Sequence, residues 1–361
     1  AAAWRGLEQR AILTPYQRYD WITAFAEAQG ATGGRTAIAL VSDDEGPVAL
    51  LPLVVMTRFG LKLGTLIGSE IANADWMPVL PSAAGRFDRH TLDGLLAEIG
   101  RRTGMDALSL RALPAAWQGV ANPLLAYPHQ PGPDHLFLAA LDDGNPTRIN
   151  TKRMRNIMRG KRRLEESMGP VRLRTANTPE DMAAFHRVFL AQREARFAEQ
   201  GIANVFADRK FVRFFELAAS RSLGSERPAL RFHALEAGGE IVATSCGSYS
   251  GTHFSQYINS MTTGPAAKSS LMALLMNELI EQLRADGIVS LDMGLGDFDY
   301  KLDWTDRTVV YDAVIPLTLK GRLGAAAILA ARRLRRAIKQ NDRLFGSYKR
   351  LRRLLGSGRA G

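Results

Sequence analysis

The 361-residue chain reads as an α/β protein in which one plan of strands and helices is laid down twice. Three observations predict this. Short apolar and β-branched runs alternate with amphipathic helical stretches, the pattern of layered α/β domains. The order hairpin, third strand, helix, glycine, strand occurs once in each half. The two helix-to-strand units also superpose at an offset of 183, with Leu96 on Leu279, Glu98 on Glu281, Arg101 on Arg284, Gly104 on Gly287, Met105 on Ile288, Leu108 on Leu291 and Leu110 on Met293. A glycine that ends a helix before a strand is common by itself. The shared order therefore carries more weight than the shared letters.

The elements follow in turn. Thr14-Pro15 opens a helix on which Trp21, Ile22, Phe25 and Ala28 recur at helical spacing. TAIALVSD and PVALLPLVVM are two β runs around Asp43-Asp44-Glu45-Gly46, and LKLGTLIG is a third. A loop with Asn73, Asp75 and Trp76 leads to a helix over about 89–102, then to the strand MDALSLRAL. In the second half, Asp181 to Arg196 and Asp208 to Arg221 read as helices. ALRFHALEAGGEIVATSCGSYSGTHFSQYINSM reads as a three-strand meander with turns at Gly238-Gly239 and Ser250-Gly251. A helix over about 270–286, Gly287 and the strand IVSLDMG complete the repeat.

Composition is that of a globular protein, 46% hydrophobic and 23% charged. A single cysteine, Cys246, excludes an intrachain disulfide framework and any Cys-rich zinc site, and fits a reducing compartment. No run of 18 apolar residues predicts a membrane-spanning helix. The opening AAAWRGLEQR shows no basic-then-apolar signal pattern; the expected location, cytoplasmic, goes with the reducing compartment. The net charge of +11 is unevenly placed. Thr318 to Gly361 holds 13 Lys and Arg against one acid, Asp342, while the remainder holds 34 basic and 35 acidic residues.

Two motifs carry chemistry. SQYINSM is followed by TTGPAAKSS and then a helix. Small residues between a strand and a helix N-terminus let backbone N–H groups approach an anion, and a diphosphate suits that place. Gly264, Ala266, Ala267, Lys268, Ser269 and Ser270 meet the need, although GxxxxGK[ST] is absent. An ordinary loop capped by Ser269 or Ser270 explains the same residues. One helix and one strand later stands LDMGLGDFDYK, Leu291 to Lys301. No helix clearly opens after its glycines, so it is a poor dinucleotide loop. Asp292 lies in the strand, and Asp297, Asp299, Tyr300 and Lys301 fall at the strand's end, where open α/β sheets bind ligands. A turn with solvated acids and a packed tyrosine is the plainer alternative.

The meander, the small-residue loop, the helix, the next strand and the closing DxGxGDxxYKxxW, Asp292 to Trp304, resemble the GNAT acyltransferase superfamily. More narrowly they resemble its two-domain branch of cellulose-biosynthesis-type acetyltransferases, related to Fem-type peptidyltransferases. The resemblance extends over about residues 4 to 317. It implies two tandem GNAT-like domains of mixed sheets flanked by helices, followed by a basic amphipathic helical tail. The expected boundaries are 1–147 for the N-terminal domain, 148–168 for a basic linker helix, 169–317 for the donor-binding catalytic domain and 318–361 for the tail.

The resemblance further implies an N-acyltransferase with acyl-CoA as co-substrate, no permanently bound cofactor and no metal. The strands on either side of the helix at Ser270 would splay and admit a pantetheine arm. Tyr257, Asn259 and Met261, with the loop from Gly264 to Ser270, would then bind the donor. TTGPAAKSS departs from the family's usual Q/RxxGxG/A, which leaves acyl carrier protein open as an alternative donor. Asp292 and Asp297 are the candidate bases for an amine acceptor, Tyr300 the proton donor to the leaving thiolate, and Lys301 a phosphate or salt-bridge partner.

Other features read more plainly. The six histidines, His90, His129, His135, His186, His233 and His253, form no ligand pair, so metal is not expected. His186 is expected to be packed or on the surface, and Cys246 to be a buried structural thiol. Glu194 and Arg196 either line an acceptor site or sit on an exposed helix face. Arg148 to Arg163 holds eight basic residues and no acid, with Lys152, Arg155, Arg159 and Arg162 on one helix face. That face suits an anionic donor, a carrier protein or RNA, or is simply solvated. In the tail, Leu323, Ala327, Ala330, Leu334 and Ile338, then Leu344, Tyr348, Leu351 and Leu355, step at helical spacing among basic residues. This suits an interfacial helix on anionic lipid at the inner membrane; nucleic acid is a weaker fit because no recognition motif is present. The acceptor is expected to be an amine of an envelope building block, either an exopolysaccharide amino sugar or a long-chain lipid base. A noncatalytic scaffold in polysaccharide assembly and an aminoacyl-tRNA-dependent transferase are the alternatives.

Overall fold

The computed structural model describes residues 1–30, 34–141, 149–200, 204–221 and 223–341. Its elements in chain order are α1 Ala2–Glu8, α2 Tyr19–Gln29, β1 Arg35–Asp43, β2 Gly46–Arg58, β3 Leu61–Leu66, α3 Pro81–Ala84, α4 Arg89–Thr103, β4 Ala107–Pro114, β5 Ala116–Trp117, β6 Val120–Ala121 and β7 His129–Ala140. Then follow α5 Thr151–Met168, β8 Val171–Thr175, α6 Pro179–Gln200, α7 Arg209–Arg221, β9 Arg231–Ala237, β10 Glu240–Ser250, β11 His253–Met261, α8 Leu271–Ala285, β12 Ser290–Leu295, β13 Asp306–Pro316 and α9 Leu319–Lys339. Contacts divide the chain into two compact units. Among the described residues, the first comprises Ala1–Leu136, Leu295–Asp297 and residues 308–341; the second comprises Phe137–Gly294 and Phe298–Arg307.

In the first unit the strands run β1-β2-β3-β4-β13, with β3 and β4 parallel and their neighbours antiparallel. Side chains alternate across the sheet. Leu108 and Leu110 of β4 therefore enter the core under α4, whereas Ala107 packs with Val314 and Ala325 under α9. α4 presents Leu92, Leu96 and Ile99 to that core, one residue per turn, each contributing about 1.5–3 kcal/mol by burial. Its N-terminus is capped by Asp88, whose carboxylate accepts from Thr91 N–H at 2.8 Å.

The second unit repeats the plan. Its strands run β12-β11-β10-β9-β8, and the one parallel pair is β11 with β12. Leu235 of β9 faces the core under α8, while Phe232 faces His186 of α6 and Phe215 of α7. The expected repeat is present element for element: hairpin, third strand, helix and parallel strand in each unit. Gly104 and Gly287, equivalent by the offset, have φ of 70° and 73°, values that only glycine adopts without strain.

The sequence reading missed α1, the short α3, β5 and β6, and the longer β7, β8 and β13. In β7, HQPGPDHLFLAA, two prolines remove ladder donors and hide the strand. The helix expected over Asp181 to Arg196 extends over Pro179–Gln200.

Among the described residues no helix is long and apolar enough to cross a membrane. α9 docks on the first unit through Gly321, Gly324 and Ala325. Besides Lys320, which donates to Gly60 O, four cations nearer its C-terminal end are engaged there. Arg332 donates to Leu110 O and Ser109 Oγ, Arg333 to Gln130 Oε1, Arg336 to Gly132 O, and Lys339 to both oxygens of Asp134. The tail's second apolar series, Leu344, Tyr348, Leu351 and Leu355, lies outside the described residues, as does Arg148 of the basic segment.

Candidate active site

In the second unit, β11 and β12 pair over only three positions, His253↔Ser290, Phe254↔Leu291 and Ser255↔Asp292. β11 then continues to Met261 and β12 to Leu295 with no further register between them. At the point of parting, Gln256 Nε2 donates to Ser245 Oγ at 3.4 Å, while its buried Oε1 has no hydrogen-bond partner among the described residues.

The loop after β11 forms a short 3-10 turn over Pro265–Ser269. Ser270, the residue before α8, has φ 57° and ψ 38°, and its side chain caps nothing. A serine in this left-handed region is uncommon. The result is a 15-residue helix whose first-turn N–H groups receive no side-chain cap. They carry the positive end of the helix dipole. A cavity of about 140 Å³ opens there, lined by Ala267, Ser270, Leu271, Met272, Ala273, Met261, Tyr300, Trp304 and the ion pair of Arg153 with Asp303, 3.1 Å apart.

α5 supports this loop from behind. A Cβ added to Gly160 would lie 2.4 Å from the carbonyl oxygen of Ser269, so only glycine permits the contact. On the same helix, Lys161 pairs with Glu278 of α8 at 3.0 Å. Lys152, Arg155, Arg159 and Arg162 remain exposed.

The expected donor-binding residues are placed as follows. Met261, Ala267 and Ser270 line the cavity. Ala266 packs on the core, Ser269 is buried, and Gly264 and Lys268 are exposed. Tyr257 packs against Phe215 with ring centroids 5.8 Å apart. Asn259 Nδ2 donates to Tyr300 Oη at 3.4 Å.

The four candidate catalytic residues occupy distinct settings. Tyr300 is half-buried at the cavity, and among the described residues its O–H has no acceptor. Burial raises its pKa, offset in part by the hydrogen bond from Asn259 and the charges of Arg193 and Arg196, so the phenol stays protonated at neutral pH. Asp292 is buried: Oδ2 meets His253 Nε2 at 2.9 Å, and Oδ1 accepts from Gly294 N–H at 2.8 Å. Lys301 is buried too, its ammonium 3.3 Å from the carbonyl oxygen of Gly294 and 4.9 Å from the centre of the Phe137 ring. Asp292 and Lys301 thus grip the N–H and the C=O of the same residue, at the exit of β12. Asp297 falls in the first unit, where Oδ1 meets His135 Nδ1 at 2.8 Å and Oδ2 accepts from Gln340 Nε2 at 2.9 Å.

Sequence reasoning passed over three residues. His253 joins Asp292 to Ser290, whose hydroxyl lies 2.8 Å from His253 Nδ1. The parallel register brings these residues together, and no local spacing signals it. Arg193 is the third. Among the described residues its buried Nε has no hydrogen-bond partner, and its guanidinium lies 5.7, 5.4 and 5.3 Å from the rings of Phe189, Phe197 and Phe206. Burial, with the charge of Arg196, lowers its pKa to about 10. The spacing Phe189, Arg193, Phe197 at i, i+4 was the available signal.

His186 and Cys246 are packed. Burial holds the His186 imidazole neutral, with its pKa down to about 4, and pushes the Cys246 thiol up.

Comparisons with known proteins bear on this geometry. The family described as Acetyltransferase (GNAT) domain matches residues 151–302, which include the parting strands, the loop, α8 and Tyr300. No curated protein sequence matches the chain. Among solved structures, FemX is similar in fold at 12% identity and a TM-score of 0.62, covering 89% of this chain and 96% of its own. A conserved protein of unknown function from Bacteroides thetaiotaomicron is similar at 11% identity and a TM-score of 0.57, over 88% of this chain and 97% of its own. The C-terminal domain of a proposed lysylphosphatidylglycerol synthetase from Agrobacterium fabrum gives 11% and 0.51, over 86% and 91%. At these identities the likeness is one of fold. Residues 151–302 thus match the GNAT acetyltransferase domain, within a tandem α/β fold similar to that of FemX.

Proposed function

We propose that the protein is an N-acyltransferase that moves an acyl group from acyl-CoA, or from another pantetheine thioester, to the amine of a cell-envelope building block. The observation that carries this reading is the early end of the β11–β12 register beside an uncapped helix N-terminus and a tyrosine with a free O–H. A slender pantetheine arm fits between strands that part. The donor's diphosphate lies at the N-terminus of α8, where N–H groups and the helix dipole favour an anion. Arg153 supplies a cation at that cavity once its pairing with Asp303 loosens.

The chemistry runs as follows. The amine, neutral after its proton has left to water, attacks the thioester carbonyl. A C–N bond forms, and the carbonyl oxygen takes the electron pair. Backbone N–H groups of β11 beyond Ser255, where the register with β12 has ended, steady that oxyanion. The nitrogen releases its extra proton to water, the C–S bond breaks, and Tyr300 gives its proton to the departing thiolate, recovering one from solvent. Asp292 and Lys301 are positioning residues that hold Gly294 and so keep the end of β12 apart. The acceptor is an amino sugar of an exopolysaccharide or a long-chain base. The tail over 318–361 places the enzyme on the cytoplasmic face of an anionic inner membrane.

Calorimetry with coenzyme A tests donor binding. One molecule bound per chain, weakened by Arg153→Gln, is the expected result. A folded chain that binds no coenzyme A loses the donor assignment. A second reading rests on the exposed face of Lys152, Arg155, Arg159 and Arg162, which suits a polyanionic donor such as an aminoacyl-tRNA. Under that reading binding to tRNA is tight and falls steeply with salt.

A further inference from the structure

The first unit carries a second cavity, larger than the one at Tyr300 and of different chemistry. It is a groove of about 550 Å³ between the β2–β3 hairpin, β4 and α9. That volume falls within the roughly 300–1,000 Å³ of sites that bury a small organic ligand. Along most of its length the walls are apolar: Met56, Leu61 and Leu63 from the sheet, Ala327 and Ile328 from the helix. At one end stand Arg111 and Arg332, with Glu70 the single acid of the lining. Arg332 is held by the protein, whereas the side chain of Arg111 makes no hydrogen bond among the described residues. Between the apolar stretch and these charges lies Thr65, whose hydroxyl oxygen is buried and has no hydrogen-bond partner among the described residues.

The rim is unusual for a surface in water. Phe59 sits at the hairpin tip, fully exposed, with φ 50°. A bulky residue in the left-handed region costs folding free energy, and here it gains no packing in return. α9 adds an outward apolar stripe, with Leu319 77%, Leu323 78% and Leu334 64% exposed. These are positions i, i+4 and i+15, on one side of the helix, opposite the buried Gly321 and Ala325. Lys320 ties the helix to the hairpin by donating to Gly60 O. Arg58, Lys62 and Arg322 are exposed around the same edge. Exposed apolar side chains fringed by cations are the footprint of a protein that sits in an anionic lipid interface.

We propose that this groove binds one acyl chain of an anionic membrane phospholipid. The chain lies along Leu61, Leu63 and Ile328. Its ester carbonyl accepts from the Thr65 hydroxyl, and the anionic headgroup meets Arg111. Phe59 and the outward stripe of α9 rest in the bilayer surface and let the lipid enter sideways. The inference is separate from acyl transfer at Tyr300. It shares with the reading above only the membrane placement, to which it adds a hairpin and a lipid site outside the tail.

The experiment uses the full chain and phosphatidylglycerol dispersed in detergent, so that membrane placement is not assumed. Native mass spectrometry counts lipid retained per chain. One phosphatidylglycerol per chain is expected, with about tenfold less retained by Ala331→Trp, which fills the groove from an exposed helix position, and several-fold less by Thr65→Val, which keeps its volume. Arg111→Gln should abolish the preference for phosphatidylglycerol over phosphatidylcholine. Flotation with vesicles containing phosphatidylglycerol then reads the rim, and Phe59→Asp should lower the bound fraction. A wild-type chain that retains no lipid, or equal retention by Ala331→Trp and Thr65→Val, overturns the groove assignment. Flotation unchanged by Phe59→Asp overturns the hairpin's part in it. Loss of thiol-release activity leaves both readouts untouched, so the two proposals fail separately.

Discussion

Asn259 and Tyr300 meet at 3.4 Å, the amide of one donating to the phenol oxygen of the other. Asn259 lies on β11 beyond the point where its pairing with β12 has ended, and Tyr300 lies on the turn after β12. The contact therefore spans the parted strands and leaves the phenol O–H free to donate into the cavity.

Tyr300→Phe should lower kcat by about 10²-fold, the usual scale for loss of a positioned proton donor. The fold should survive, because the ring keeps its packing on the core. Steady-state kinetics beside near-ultraviolet circular dichroism separates the two. Equal kcat in both proteins removes Tyr300 from the chemistry.

The pH profile gives an independent check. The acceptor amine must be neutral, so kcat/KM should rise with pH through the amine's own pKa. Burial raises the pKa of Tyr300, so its proton remains available and no descending limb is expected below about pH 10. A fall in rate between pH 7 and 9 points to a different proton donor.

Gly160→Ala places a methyl group 2.4 Å from the backbone oxygen of Ser269. α5 or the loop must shift, at a cost of about 1–3 kcal/mol. The displaced loop is the one at the donor cavity, so the donor KM should rise more than kcat falls. Thermal melting and donor titration together read this, and an unchanged KM denies α5 its role behind the loop.

Asp292→Asn retains the acceptor for Gly294 N–H and loses the charge facing His253. Turnover should drop while the fold is kept. Asp292→Ala removes both contacts from a buried site, which destabilises by about 3–5 kcal/mol. Denaturant titration distinguishes the two variants. Wild-type turnover in Asp292→Asn refutes the positioning role.

Asp75 offers a stability test apart from the site. Burial raises its pKa to about 6, against the hydrogen bonds from Arg111 N–H and Ser69 Oγ. A carboxyl with a raised folded pKa contributes stability below its unfolded value, near 4, and loses it as pH rises through about 6. The protein should therefore lose about 3 kcal/mol over that window from this group. Asp75→Asn should flatten that slope in pH-dependent melting, and an identical slope in the variant locates the effect elsewhere.

Much of the fold was legible because local signals agreed with one another. The meander of β9, β10 and β11 was written in alternation and in the turns at Gly238-Gly239 and Ser250-Gly251. The repeat was written in the caps at Gly104 and Gly287. β7 was hidden by its prolines, and β8 is too short, at five residues, to register a period. Of the site, Tyr300 and Ser270 could be marked from strand-end position and loop composition. His253 could not, because its partners come from a neighbouring strand whose register no local pattern encodes. Arg193 was missed for the opposite reason: its helical spacing with Phe189 and Phe197 was visible but is also the pattern of an ordinary packed helix. In the tail, the series from Leu323 to Leu334 was legible as a stripe, and the structure turns it outward because Gly321, Gly324 and Ala325 let the other side approach the sheet closely.

The measurement that bears most directly on acyl transfer is the release of free thiol from acyl-CoA of several chain lengths, with amino-sugar and long-chain-base acceptors. The account predicts acceptor-dependent thiol release by the wild-type chain, equal in moles to the N-acylated product, and strongly reduced in Tyr300→Phe. A folded protein that releases no thiol with any donor and acceptor pair, or that releases it equally well without Tyr300, contradicts it.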